Sequence, residues 1–135
     1  MSNQFISMLS LVVDDYDKAI TYYRDSLRFE LVEDTRLNET KRWVRMKPSG
    51  NSKTYILLAK AKNENESKAI GFQTGGRVSF FLYTDDFWGD YDYMLDKGVE
   101  FIAKPREEEY GTVIVFKDLY GNKWDFIQPK KLDTN

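Results

Sequence analysis

The chain has no cysteine and no histidine among its 135 residues. Without cysteine it can form no disulfide, thiolate nucleophile or zinc-thiolate site. Without histidine no shift of register can supply an imidazole ligand to a metal. A surplus of positive charge is also missing, with 20 basic residues against 22 acidic and a net charge of −2. The tail pair Lys130-Lys131 is too small to form the cationic stripe that a nucleic-acid partner needs, so no nucleic-acid role is expected. Long apolar runs are absent as well. The longest are strand-length, far below the roughly 20 residues that cross a bilayer, and no charged-then-apolar leader opens the chain. These features lead to the expectation of a cytoplasmic protein without a membrane partner.

What is present is a repeat. Leu11-Val12-Val13-Asp14-Asp15-Tyr16 is answered by Leu82-Tyr83-Thr84-Asp85-Asp86-Phe87, with Asp86 standing 71 positions after Asp15. After each Asp-Asp pair comes helical spacing, at Ile20, Tyr23 and Leu27 and again at Phe87, Tyr91, Met94 and Leu95. A short strand follows each helix, Phe29 to Val32 in one half and Val99 to Ile102 in the other. Two more strands around a turn close each unit: Trp43 to Met46 then Thr54 to Leu58, and Val113 to Phe116 then Trp124 to Ile127. Each half therefore reads strand, helix, strand, strand, strand. Asp15 or Asp17, and Asp85 or Asp86, can accept bonds from the free amides that open the helices. Lys97-Gly98 supplies a cation and a left-handed stop for the second. With 41% hydrophobic and 16% aromatic residues the chain can bury a proper core. The expected organisation is α+β, a single domain over 1–135, with module one at about 5–59, a linker at about 60–76 and module two at about 77–129.

The connector is polar up to Ala69 and then carries Ile70, Phe72, Gln73 and a Gly-Gly pair. It is either a solvated linker or a flap, in which Phe72 and Gln73 fold over a pocket on glycine hinges. It is no phosphate loop, because it precedes a strand and lacks the Lys-Ser/Thr pair.

Val13-x-Asp15, the run Ala19-Ile20-x-Tyr22-Tyr23-Arg24-Asp25-x-Leu27-x-Phe29, and Asp118-x-x-Gly121-Asn122-x-Trp124-Asp125 resemble the vicinal oxygen chelate superfamily over roughly Phe5 to Gln128. That superfamily includes glyoxalase I, extradiol dioxygenases, fosfomycin-resistance transferases and bleomycin-resistance proteins. The resemblance implies two βαβββ modules in tandem, each a curled mixed sheet with one helix, enclosing a pocket. It also implies a homodimer. Ligands in metal-dependent members come from the first and last strands of each module, and those positions fall here on Met8, Tyr55, Ser79 and Asp125.

One carboxylate accompanied by a thioether, a phenol and a hydroxyl is a poor donor set for a divalent metal. No cofactor is expected, and a metal is disfavoured. Asp125 is then either a carboxylate held by Arg45 or Arg77, or a partly desolvated acceptor or base facing a ligand. Arg45, Arg77 and Arg106 are the candidates to stabilise negative charge. The run Pro105 to Thr112 is either an acidic loop between strands or a pocket rim, with Tyr110 stacking on a flat ligand and Arg106 or Glu108 selecting its charge. Period-two alternation puts Phe81 and Tyr83 on one face with Ser79 and Asp125, and Tyr55 with Leu57. Three functions remain open on the residues: a metal-independent protein binding a small aromatic or hydrophobic molecule, a glyoxalase-like lyase or dioxygenase-like enzyme with an altered metal site, and a non-catalytic module with a filled pocket.

Overall fold

A computed structural model describes residues 1–131, and the chain divides into two units, Met1–Ile70 and Gly71–Asn135. The first contains β1 (Met8–Val13), α1 (Tyr16–Asp25), β2 (Glu30–Arg36), β3 (Arg42–Lys47), β4 (Tyr55–Lys60) and α2 (Glu64–Ala69). The second contains β5 (Val78–Tyr83), α3 (Phe87–Asp96), β6 (Glu100–Glu108), β7 (Gly111–Lys117) and β8 (Lys123–Pro129). Each unit has a four-stranded mixed sheet, ordered β1-β4-β3-β2 and β5-β8-β7-β6. In both, the first strand runs parallel to the last and the other pairs are antiparallel. The repeat in sequence is thus a repeat in topology. Among the described residues no helix is long and apolar enough to cross a membrane.

The helices start where their carboxylates permit. Asp15 accepts from the Lys18 amide at 2.9 Å and Asp86 from the Gly89 amide at 3.2 Å, each satisfying an amide that the helix itself leaves unpaired. Gln128, reaching from β8, accepts from the Phe87 amide at 2.8 Å and ties the start of α3 to the sheet. Gly98, at φ 82°, closes α3 in the left-handed region.

In the first unit, Ala19, Ile20 and Tyr23 of α1 are buried together with Leu11, Val13, Val44, Met46, Ile56 and Leu58. In the second, Phe87 of α3 lies 5.3 Å from Phe126, and Tyr91 lies 4.8 Å from Phe101. Trp124 sits between Phe80 at 4.5 Å and Phe116 at 5.7 Å. Each of these side chains that is fully buried, as Phe87, Phe116, Trp124 and Phe126 are, contributes about 1.5–3 kcal/mol. Leu95, expected on the buried face of α3, is exposed. Phe87, Tyr91 and Met94 already fill that face, and Leu95 falls at its edge.

Two further differences from the sequence reading have local causes. The connector contains α2, capped by Asn63, which accepts from the Glu66 amide at 2.8 Å. This helix buries no residue, so it has no apolar period to reveal it. The segment from Pro105 is a strand rather than a loop, since β6 continues to Glu108 and only Glu109 and Tyr110 turn the chain. Proline is tolerated there because β6 is an edge strand. Of its acidic side chains, Glu108 is paired with Arg106 at 2.9 Å and Glu107 accepts a hydrogen bond from the Thr112 hydroxyl at 2.9 Å.

Candidate functional site

In the second unit the sheet has two unlike faces. Trp124, Phe126, Ile114, Phe116 and Phe80 lie under α3. Register places Phe81 beside Asp125, Tyr83 beside Ile127, and Val115 beside Asp125 on the opposite face. Phe81 is 65% exposed and Tyr83 is 50% exposed. Large aromatic rings left this open on a sheet face, next to a half-buried carboxylate, are the second unit's main candidate for contact with a ligand.

Arg106 reaches this face through an irregularity in β6. Ile102 pairs with Val115 and Arg106 pairs with Val113, so β6 carries two extra residues between them, beginning at Ala103 with φ 70°. Without that bulge Lys104 would stand where Arg106 does. The charge acting on Asp125 is that of Arg106 rather than of Arg45 or Arg77. Burial pushes the Asp125 carboxyl above its ordinary value, and Arg106 partly opposes this.

The other candidates are distributed as follows. Met8 pairs in register with Tyr55. The Arg45 guanidinium lies 4.7 Å from the Tyr55 ring centroid and 2.9 Å from Glu33, and so is committed within the first unit. Hydrogen bonds to its oxygens, that of Arg45 first and that of the Thr35 hydroxyl next, hold the Glu33 carboxyl below its usual range. Ser79 shares a 3.0 Å hydrogen bond with Thr74. Arg77 is exposed ahead of β5, its carbonyl accepting from the Thr74 hydroxyl at 2.7 Å. Phe72 is exposed and Gln73 is half-buried in a turn where Gly71, Gly75 and Gly76 all have positive φ. At Gly71 a side chain would collide with the Tyr120 carbonyl, so that position accepts only glycine. Tyr110 is exposed at the β6–β7 turn.

A chelated metal does not fit these residues. The first unit offers a thioether and a phenol, the second a hydroxyl already bonded to threonine and one carboxylate. Among the described residues no group of three or more Asp, Glu, His or Cys is placed to hold an ion. Asp118, by contrast, is buried and fully used: it accepts from the Tyr120 and Asn122 amides and from the Trp124 indole, each at 3.0 Å. The Asp-x-x-Gly-Asn-x-Trp motif is therefore the lock of the β7–β8 turn.

Residues 5–126 match the Glyoxalase/Bleomycin resistance protein/Dioxygenase superfamily. The chain belongs to this superfamily. An uncharacterized protein of Shewanella frigidimarina (strain NCIMB 400) is 49% identical over 126 residues, 93% of each chain. YetH of Bacillus subtilis (strain 168), also uncharacterized, is 28% identical over 117 residues, 87% of this chain and 92% of that one. Among solved structures, UcmS2 superimposes with a TM-score of 0.80 at 24% identity, covering 93% of this chain and 98% of that one. TnmS3, an antibiotic binding protein from Streptomyces sp. CB03234, gives 0.76 at 24% identity, covering 96% of this chain and 99% of that one. At such identities the solved structures establish the superfamily fold for this chain.

The raised Asp125 carboxyl has a consequence for stability. A carboxyl whose folded-state value is raised binds its proton more tightly when folded, so stability falls as pH rises from the ordinary aspartate range through the folded value. Asp125→Asn removes that cost. Its melting midpoint should exceed that of the unaltered protein at neutral pH, and the difference should vanish at acidic pH. A midpoint difference independent of pH would show that Asp125 ionises without a desolvation cost.

Proposed function

We propose that this superfamily member binds a small, flat, aromatic or hydrophobic molecule without a tightly held metal, with Phe81 and Tyr83 as stacking surfaces and Asp125 as the polar anchor. The observation that carries the reading is the pair of exposed rings beside a partly desolvated carboxylate on the sheet face away from α3. Binding of this kind requires only affinity, so the poor donor set at the family's ligand positions does not weaken it. TnmS3 supports it as a protein of the same fold that binds an antibiotic. Phe72, Gln73, Arg77, Ser79, Arg106 and Tyr110 are its further contacts within the second unit, Met8, Arg45 and Tyr55 are candidates on the first unit's own sheet, and a homodimer is the proposed assembly.

Asp125 favours a cationic or hydroxylated ligand, because a carboxylate with no hydrogen-bond donor among the described residues gains most from a charge-assisted bond. The test is a thermal-shift and calorimetric panel of flat compounds, led by the cation 9-aminoacridine and the neutral acridone. The cation should bind more tightly, and Phe81→Ser should weaken both by about three- to tenfold through lost ring contact. Asp125→Asn should weaken only the cation. If no compound in the panel gives saturable binding, or if both substitutions leave affinity unchanged, the assignment fails.

A further inference from the structure

The first unit contains a groove that the proposed site does not use. It has a volume of about 610 Å3, within the range of roughly 300–1,000 Å3 typical of small-molecule sites. It lies between the tip of the β2–β3 hairpin, the end of β4, the start of α1 and the approach to α2. Trp43, Leu57 and Ala59, all half-buried, give it an apolar floor.

Its charge sets it apart from the rest of the chain. The lining carries Lys41, Arg42, Lys60 and Lys62 against a single carboxylate, Glu66. Arg42 is already neutralised, gripping Asp34 at 2.6 Å and 3.0 Å and Asp17 at 2.9 Å. Glu66 is turned inward on local donors, accepting from the Lys62 amide at 3.1 Å and the Asn63 carboxamide at 3.3 Å. The lysines differ. Of the seven in this unit, Lys18, Lys47 and Lys68 each reach a carboxylate. Lys41, Lys60 and Lys62 reach none among the described residues, and three of the four unpaired lysines thus line one groove. The chain as a whole is acidic at −2, so this is a local arrangement and not a reflection of bulk charge.

The groove is also held in shape. Asn38 accepts from the Thr40 amide at 2.9 Å and the Lys41 amide at 2.8 Å, fixing the hairpin tip. The Tyr16 hydroxyl accepts from the Arg42 amide at 3.2 Å, joining α1 to the base of the same hairpin. The floor and the hairpin backbone are preformed and lose little ordering entropy when a ligand settles on them, which leaves only the exposed lysine side chains to be ordered.

We propose that this groove is a second binding site, selective for a flat molecule bearing a carboxylate or similar acidic group. The ring lies against Trp43, Leu57 and Ala59, and the acid faces Lys41, Lys60 and Lys62. Its preference is opposite in charge to that of the Asp125 face.

Calorimetric titration with 1-naphthoate and its neutral analogue 1-naphthamide tests this. Naphthoate should bind saturably, and at least about tenfold more tightly than the amide, since three exposed cations each add a modest increment. The triple substitution Lys41→Gln, Lys60→Gln, Lys62→Gln, with its circular dichroism unchanged, should remove that advantage and leave amide binding alone. On the unaltered protein, raising salt from roughly 50 to 500 mM should weaken the acid and not the amide. Asp125→Asn should leave naphthoate binding as it was. Equal affinity for acid and amide, no effect of salt, or loss of naphthoate binding through Asp125→Asn in place of the lysine changes would overturn the proposal.

Discussion

Asp118→Ala should be among the most destabilising single substitutions in this protein, lowering unfolding free energy by about 4 kcal/mol. The carboxylate is 6% exposed and accepts from two backbone amides, the Asn122 carboxamide and the Trp124 indole within 3.0–3.3 Å. Hydrogen bonds to a charged group are worth about 1.5–3 kcal/mol each, and removing the shared acceptor strands buried donors that water cannot reach. At roughly 4 °C per kcal/mol for a chain of this size, the melting midpoint should drop by about 15 °C. Asp118→Asn keeps the shape and one acceptor but turns an amino group toward one of the donors, so about half the loss is expected. Chemical denaturation of both variants gives the comparison. A loss under about 1 kcal/mol for the alanine variant would mean that the β7–β8 turn closes without its carboxylate.

Phe87→Ala should cost about 3–5 kcal/mol, the range for emptying a buried aromatic site. Phe87 is fully buried at the first turn of α3, with ring centroids of Trp88, Phe126 and Tyr91 at 5.0, 5.3 and 5.9 Å. It is therefore the main contact fixing this end of the helix to the sheet. Phe87→Leu should lose much less, because it returns most of the volume. Leu95→Ala, on the exposed edge of the same helix, should change stability by no more than about 0.5 kcal/mol. Since a domain of this kind has only about 5–15 kcal/mol in hand, the first substitution should yield a visibly frayed second unit and the last should not. Equal losses at Phe87 and Leu95 would contradict the packing described for α3.

The fold was legible because the same physical pattern is written twice. An aspartate that caps a helix, a 3.6-residue apolar period and a two-residue strand period recur 71 residues apart, so each half checks the other. Period-two parity also sufficed to put Phe81, Tyr83 and Asp125 on one face, because it survives wherever strands pair without slipping. Where pairing slips, the pattern loses its power. Arg106 is near enough for its charge to act on Asp125 only because β6 bulges at Ala103, and no residue spacing encodes that insertion. Helix α2 carries no apolar stripe, and its only local sign is Asn63 followed three residues later by Glu66. Lys41, Lys60 and Lys62 are each ordinary surface lysines in sequence. Their significance lies in the carboxylates they fail to meet, which only the folded hairpin and the end of β4 determine.

Binding on the Asp125 face, as proposed, proceeds without a metal. Its most direct test is a calorimetric titration with 9-aminoacridine after exhaustive dialysis against EDTA, repeated after addition of nickel, zinc, manganese or ferrous iron. Saturable binding in EDTA is expected, with an affinity that none of the four metals changes. Binding that appears only when one of them is restored would contradict it.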